Sequence, residues 1–313
     1  MGDTSVDADL TRSAHGRVAK ERIYHGLLFS CAALTVFVTI SIATTLAVDA
    51  VEFFQRVDPY AFFTGTEWVL RSEDPILGIL PLVTATLIVT VVSAMVAIPI
   101  GTAAAVYLSE YASARTRSVL KPALEILAGI PTVVYGFFAL VYLTPWLQEI
   151  GLDLSLFNLF SASIMVGIMI IPMVSSISED AMSAVPDSLR QAGYGLGATK
   201  FEVSTKIVIP ASVSGIFSSY ILALSRAIGE TMIVVVAGGS RARMLDPTNP
   251  QSNLFNSGQT MTSAMVQAVT TDLSGGTAGY YSMFAIGLTL FAITFAMNLL
   301  SNRIAARYRE EYQ

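Results

Sequence analysis

Charge is scarce in this chain. Only 13% of its 313 residues are Asp, Glu, Lys or Arg, against about 25% in soluble domains. So few charges do not make a water-facing surface. Cysteine is nearly missing as well: Cys31 stands alone, which excludes an internal disulfide and a cysteine metal cluster. Inside an apolar run it reads as a small packing residue. Histidine is limited to His15 and His25, both near the amino end and without metal-ligand spacing. Positive charge is not in excess either. The net charge is −5, so the chain carries no nucleic-acid footprint.

What is abundant is apolar sequence, 53% of the chain. It falls into six uncharged runs at 26–48, 75–109, 126–148, 154–178, 207–225 (resuming after Glu230 to Ser240) and 273–302. Each is near or above the ~20 residues a helix needs to cross a bilayer. The expected fold is therefore all-α, a polytopic membrane protein with six spans at about 26–48, 77–107, 123–144, 159–177, 211–237 and 280–301. These form one membrane domain over 23–305, between a flexible tail at 1–22 and a polar tail at 306–313. The first run is too long for a signal-peptide core, and no small-residue cleavage site follows it before Asp49, so it reads as a retained anchor.

Basic residues orient the spans. With the amino end inside, the inner segments hold Arg12, Arg17, Lys20 and Arg22; Arg115, Arg117 and Lys121; Arg190, Lys200 and Lys206; and Arg303, Arg307 and Arg309. The outer segments hold only Arg56, Arg71, Arg241 and Arg243. Both termini are expected in the cytoplasm of a multi-pass cell-membrane protein. The outer segment 49–75 is dense in aromatics (Phe53, Phe54, Tyr60, Phe62, Phe63, Trp68) and suggests an interfacial helix in the headgroup zone. In span three, Gly129-Ile130-Pro131-Thr132 and Tyr135-Gly136 predict a bend or a close helix contact.

One charged residue lies deep in a span and a second lies one turn away. Span five carries Ser225-Arg226-Ala227-Ile228-Gly229-Glu230. At the centre of a bilayer helix each charge costs roughly 2.5–3.5 kcal/mol, so such residues face a pathway or a partner. Leu224 is the midpoint of the expected span, and Arg226 and Glu230 follow it on one face at i, i+4. The pair admits two roles. In one, the charges neutralise each other and hold the bundle. In the other, Arg226 is a cationic station for an anion and Glu230 competes for it, keeping the anion loosely bound. Arg before Glu is the less favourable order along a helix, and apolar packing often outdoes a buried pair. Both points favour the second role. Ser225, Thr132 and Tyr135 offer neutral donors nearby, or simply pack.

Between spans four and five, segment 178–208 has its own logic. Asp187 is placed to cap a short helix carrying Leu189, Arg190, Gln191 and Ala192. Gly193, Gly195 and Gly197 then weaken the helix and permit a left-handed turn. Thr199-Lys200-Phe201-Glu202 fits a capping box, with Thr199 as cap and Glu202 reaching back. Two short helices meeting at a glycine corner make a compact knob for a groove on another protein. Gly193-Tyr194-Gly195-Leu196-Gly197-Ala198 satisfies the dinucleotide pattern but follows no strand. Gly197-Ala198-Thr199-Lys200 lacks the spacing of a nucleotide-binding P-loop. No cofactor is expected on this chain, and an ATPase, if one drives it, is a separate protein with its own ATP and magnesium.

These motifs carry a resemblance. Gln191-Ala192-Gly193 followed by Gly197, then Ile209-Pro210, resembles the EAA loop of ATP-binding-cassette (ABC) importer permeases. Ser178-Glu179-Asp180-Ala181 with Val185-Pro186, and Glu125 through Gly136 in span three, resemble the phosphate-importer branch. Phe62-Phe63-Thr64-Gly65-Thr66-Glu67-Trp68 and Arg226-Ala227-Ile228-Gly229-Glu230-Thr231-Met232 resemble its PstC-type permease subunits rather than the sister PstA type. The resemblance covers about residues 24–305. It implies the six-helix, MetI-like fold of type I ABC importers and no catalytic residue in the chain. The implied cargo is inorganic phosphate. The implied partners are a PstA-like permease, two PstB-like ATPases and a PstS-like binding protein. Residues Arg190, Gln191, Ala192, Gly193, Gly197, Thr199 and Glu202 would then dock the ATPase. Arginine suits phosphate, since its planar fork matches two oxygens. Gln191 stands where the family has glutamate and Gly193 where it has a second alanine. Glutamine keeps the hydrogen bonding and loses the charge. Sulfate or molybdate as cargo, an ion-coupled transporter using Arg226 and Glu230 as a relay, and a regulatory scaffold are the alternatives.

Overall fold

The computed structural model describes residues 14–70, 75–271 and 276–307. Residues 1–13 and 308–313 of the two expected tails lie outside the described residues, as does Arg71. The chain begins with α1 (Ala14–Phe54) and a short α2 (Pro59–Thr64). A two-strand hairpin pairs β1 (Trp68–Val69) with β2 (Ile76–Leu77), antiparallel, Trp68 opposite Leu77. Next come α3 (Leu80–Val106), widening into a π-turn over Tyr107–Tyr111, and α4 (Ala114–Gly129). α5 (Thr132–Phe138) runs through a π-turn at Ala139–Leu143 into α6 (Thr144–Glu149). α7 (Leu159–Ser183) follows, then α8 (Asp187–Gly195), α9 (Lys200–Val203), a π-turn at Ser204–Val208, α10 (Ile209–Ala211) and α11 (Val213–Ile228). A π-turn at Val234–Gly238 leads to α12 (Pro250–Phe255), α13 (Met261–Thr270) and α14 (Ala278–Arg307).

Among the described residues the architecture is all-α apart from the hairpin. α1, α3, α7 and α14 are long and apolar enough to cross a membrane, and two bent pairs bring the total to as many as six. α3 and α7 pack side by side at the centre. A Cβ at Gly101 would fall 2.7 Å from Val174, and one at Gly167 would fall 2.9 Å from Val96. Small residues on both helices thus let the backbones close up. Ser93 Oγ donates across the gap to the Ser163 carbonyl at 2.8 Å. Around this pair, Tyr135, Ala223, Ala227, Ile233 and Val234 complete the central core.

The spans differ from the expected ones where the backbone breaks. Span three is two helices, α4 and the α5–α6 run, bent by 87°. Pro131 has no N–H and pushes Ile130 into extended backbone (φ −67°, ψ 129°). Span five, expected as one helix over 211–237, is broken twice. α10 and α11 meet at Ser212, giving a 69° bend. α11 then stops at Ile228, and Glu230 and Thr231 are non-helical. The expected tail at 1–22 is also corrected, since α1 already starts at Ala14.

The aromatic segment holds a short helix and divides: Tyr60 and Phe63 are exposed on it, and other rings pack inward. Phe53, Phe62 and Trp68 are buried together with Leu77, Met261 and Ile286. Phe53 and Phe62 meet edge-on at 5.1 Å. These rings pack edge-on against one another and cap one end of the bundle.

Candidate functional site

The break in span five decides what its charged pair does. With α11 ended at Gly229, the N–H groups of the next turn lose their partners. Glu230 supplies them: its Oε1 accepts from the backbone N–H of Met232 at 3.0 Å and of Ile233 at 3.3 Å. Its own carbonyl accepts from Thr262 Oγ1 at 2.8 Å. The Glu230 side chain is 2% exposed and that of Arg226 is 47% exposed. Arg226 Nη2 lies 3.9 Å from Glu230 Oε2, a loose contact beside the short bonds of the cap. Glu230 therefore closes a helix end, and Arg226 stays largely free.

Arg226 projects into a cavity of about 280 Å³. Its walls come from α4 and the Pro131 bend (Leu124, Glu125, Ala128, Ile130, Thr132) and from α7 (Met169 to Ile177), with Arg226 reaching in from α11. The polar groups on this wall are Glu125, Thr132, Ser176 and Arg226. Larger spaces differ in chemistry. One of about 390 Å³ between the loop at 151–153 and α12 carries Asp153 and amides. A groove of about 660 Å³ between the ends of α3 and α9 is mostly apolar.

The expected donors divide. Thr132 lines the cavity. Tyr135 does not: it is buried, and its hydroxyl donates to the Leu127 carbonyl at 2.6 Å. It satisfies a group freed by the Pro131 bend, as a broken membrane helix requires. Ser225 Oγ is buried with no hydrogen-bond partner and is not among the cavity-lining residues. Glu125 and Ser176 were not singled out from sequence. Only the bend, which turns the carboxyl end of α4 toward α7, makes them neighbours of Arg226.

The coupling segment folds as two short helices at a glycine corner. Gly197 has φ +82°, where a side chain is strained. A Cβ at Gly193 would lie 2.7 Å from Ile207 Cδ1, so a larger residue there would require the Ile207 side chain to shift. Thr199 and Glu202 form both halves of the capping box. Thr199 N–H and Lys206 hold the Glu202 carboxyl down at about 2. Gln191 and Ala192 are exposed, as are Leu196 and Phe201, at 90% and 68%. Arg190 is different: it turns inward, donating to the Met182 and Val185 carbonyls at 2.8 and 2.5 Å and pairing with Glu110 at 3.1 Å. Asp187 lies in the first turn of α8 rather than capping it, and accepts from Arg190 at 3.1 Å.

Residues 97–310 match the family of binding-protein-dependent transport system inner membrane components. The chain belongs to this family. It is thus a multi-pass membrane component of a transport system that relies on a separate binding protein, and not an enzyme. The probable ABC transporter permease protein YqgH of Bacillus subtilis is 31% identical over 308 residues, 97% of this chain and 96% of that one. The phosphate transport system permease protein PstC of Mesorhizobium japonicum is 28% identical over 323 residues, 97% of this chain and 94% of that one. The crystal structure of a bacterial ABC transporter involved in the import of the acidic polysaccharide alginate superposes with a TM-score of 0.63. It is 15% identical and covers 94% of this chain and 100% of its own. That likeness shows a shared importer-permease fold.

Proposed function

We propose that this chain is the PstC-type permease subunit of an ATP-driven phosphate importer. The observation that carries the reading is a largely free guanidinium on the wall of a cavity between α4, α7 and α11. The likeness to proteins named phosphate transport system permease PstC supports phosphate as cargo. A binding protein of the PstS kind delivers it from outside, and a PstA-like permease closes the open flank of the cavity. Two PstB-like ATPases, carrying the ATP and magnesium, seat the exposed surface of Gln191, Ala192, Leu196 and Phe201. Both termini lie in the cytoplasm, on the side of that knob, as the distribution of basic residues implies. Arg226 binds the anion through its forked donors, and Thr132 adds a neutral donor.

The test is Arg226→Ala in the assembled importer. Losing a hydrogen bond to a charged group removes about 1.5–3 kcal/mol, so phosphate uptake should fall roughly ten- to a hundredfold. Membrane insertion and copurification with the ATPase should not change, since Arg226 seals no helix end. Undiminished uptake removes Arg226 from the pathway. Competition by sulfate or molybdate, equal to that by phosphate, reassigns the cargo.

A further inference from the structure

Glu125 is an acid without a partner. It is exposed on α4, within two turns of the Pro131 bend. No described residue gives its carboxylate a hydrogen bond or an ion pair. α4 buries none of its side chains, so packing inside this chain does not account for the acid either. Leu124, Glu125 and Ala128 nevertheless turn to the Arg226 cavity and form part of its wall.

Other charges close by are already engaged. Glu230 seals a helix end at the Met232 and Ile233 N–H groups. Lys121, one turn before Glu125, pairs with Glu179 at 2.7 Å and with Asp180 at 3.4 Å. The charged side chains lining the cavity are thus Arg226 and Glu125, of opposite sign and not paired with each other. Their hydrogen bonding runs in opposite senses. A guanidinium only donates, and an ionised carboxylate only accepts. The hydroxyls of Thr132 and Ser176 do either. A ligand that satisfies this wall must accept at one end and donate at the other. Phosphate does both, because it keeps a proton near neutral pH. Sulfate and molybdate are fully ionised there. They have no donor to offer, and their charge is repelled by the carboxylate.

We propose that Glu125 is the specificity-determining residue of the Arg226 cavity and selects oxyanions that carry a proton. This rests on the reading of that cavity as the phosphate pathway. Arg226 holds the unprotonated oxygens, and Glu125 accepts the hydrogen bond of the anion's own hydroxyl. Closing the open flank removes the water that could stand in as donor. An anion without a proton then leaves the carboxylate unsatisfied, whereas a protonated one completes the wall.

The experiment uses the membrane importer, permeases with ATPases, in nanodiscs and without binding protein, so that selection by that protein does not enter. Bound radiolabelled phosphate is challenged with unlabelled arsenate, which keeps a proton as phosphate does, or with sulfate, which does not. Wild type should lose its label to arsenate and hold it against the same concentration of sulfate. Glu125→Gln presents an amide that donates to an unprotonated oxygen, so sulfate should displace the label at a roughly tenfold lower concentration than from wild type. Glu125→Asp keeps the acceptor and should keep the preference for arsenate. A carboxylate that served only to meet a partner chain would alter assembly in Glu125→Gln and leave that preference alone. Equal displacement of wild-type label by the two anions, an unchanged preference in Glu125→Gln, or no label on wild type overturns the assignment. If Glu125→Gln fails to assemble, Glu125→Ala decides by the same reading of sulfate against arsenate. Uptake by Arg226→Ala separates the two ideas. Lost uptake there beside an unchanged preference in Glu125→Gln removes the role of Glu125 alone, and undiminished uptake removes the pathway.

Discussion

Single side chains here are read best by what their atoms leave unused. Tyr135 spends its hydroxyl on the Leu127 carbonyl, so it has no donor left for a passing anion. Tyr135→Phe should cost about 0.5–1.5 kcal/mol of stability, the net worth of one hydrogen bond. It should lower the melting temperature of the purified complex and leave uptake near wild type. A large uptake defect without destabilisation would place Tyr135 on the pathway after all. Arg226 and Glu230 stand four apart in sequence, and that spacing made them look like one helical pair. The backbone break between them was not legible, because a lone Gly229 inside an apolar run is compatible with a continuous helix. What sets them apart is the N–H groups that the break exposes, and those exist only in three dimensions.

At the scale of elements, local chemistry carried far. The capping box at Thr199 and Glu202 and the left-handed turn at Gly197 follow from short-range rules, and both are present. Asp187 shows the limit of such rules. Pro186 supplies the extended residue ahead of α8 (φ −58°, ψ 137°), so the acid falls one position inside the helix. Gly197→Ala should strain the corner by roughly 1–2 kcal/mol and reduce copurified ATPase severalfold, with membrane insertion unchanged. The Glu202 cap also sets a pH window. Its carboxyl is held at about 2 in the folded knob, below the unfolded value. The cap's contribution is therefore complete above the unfolded value and is lost as pH falls through about 2. Between pH about 5 and 7, ATPase binding by wild type should be flat on account of this group, and Glu202→Ala should weaken it equally across that range. A wild-type drop on moving from pH 7 to 5, absent in Glu202→Ala, would contradict the assignment.

For the whole molecule, the six apolar runs were plain in the sequence, since length and hydropathy alone mark a span. The cap at the other end of the bundle was not. α13 lies in what read as a loop, yet Met261 and Ala264 are buried and Met261 N–H donates to Thr86 Oγ1 at 3.0 Å. A ten-residue helix between two spans has no length signature, and its partners on α3 and at Glu230 lie far away in sequence. The direction in which the chain threads the membrane rests on basic residues alone, and it can be tested directly. Cys31 is the sole cysteine and makes no ion pair or cap, so Cys31→Ser should be silent and provide a clean background. Ser188 on α8 and Gln251 on α12 are both exposed, at opposite ends of the bundle. In that background, Gln251→Cys should react with a membrane-impermeant maleimide added to intact cells. Ser188→Cys should react only after the cells are opened, and less once ATPase covers the knob. The reverse pattern would turn the bundle over and would put the ATPase-docking surface on the wrong side of the membrane.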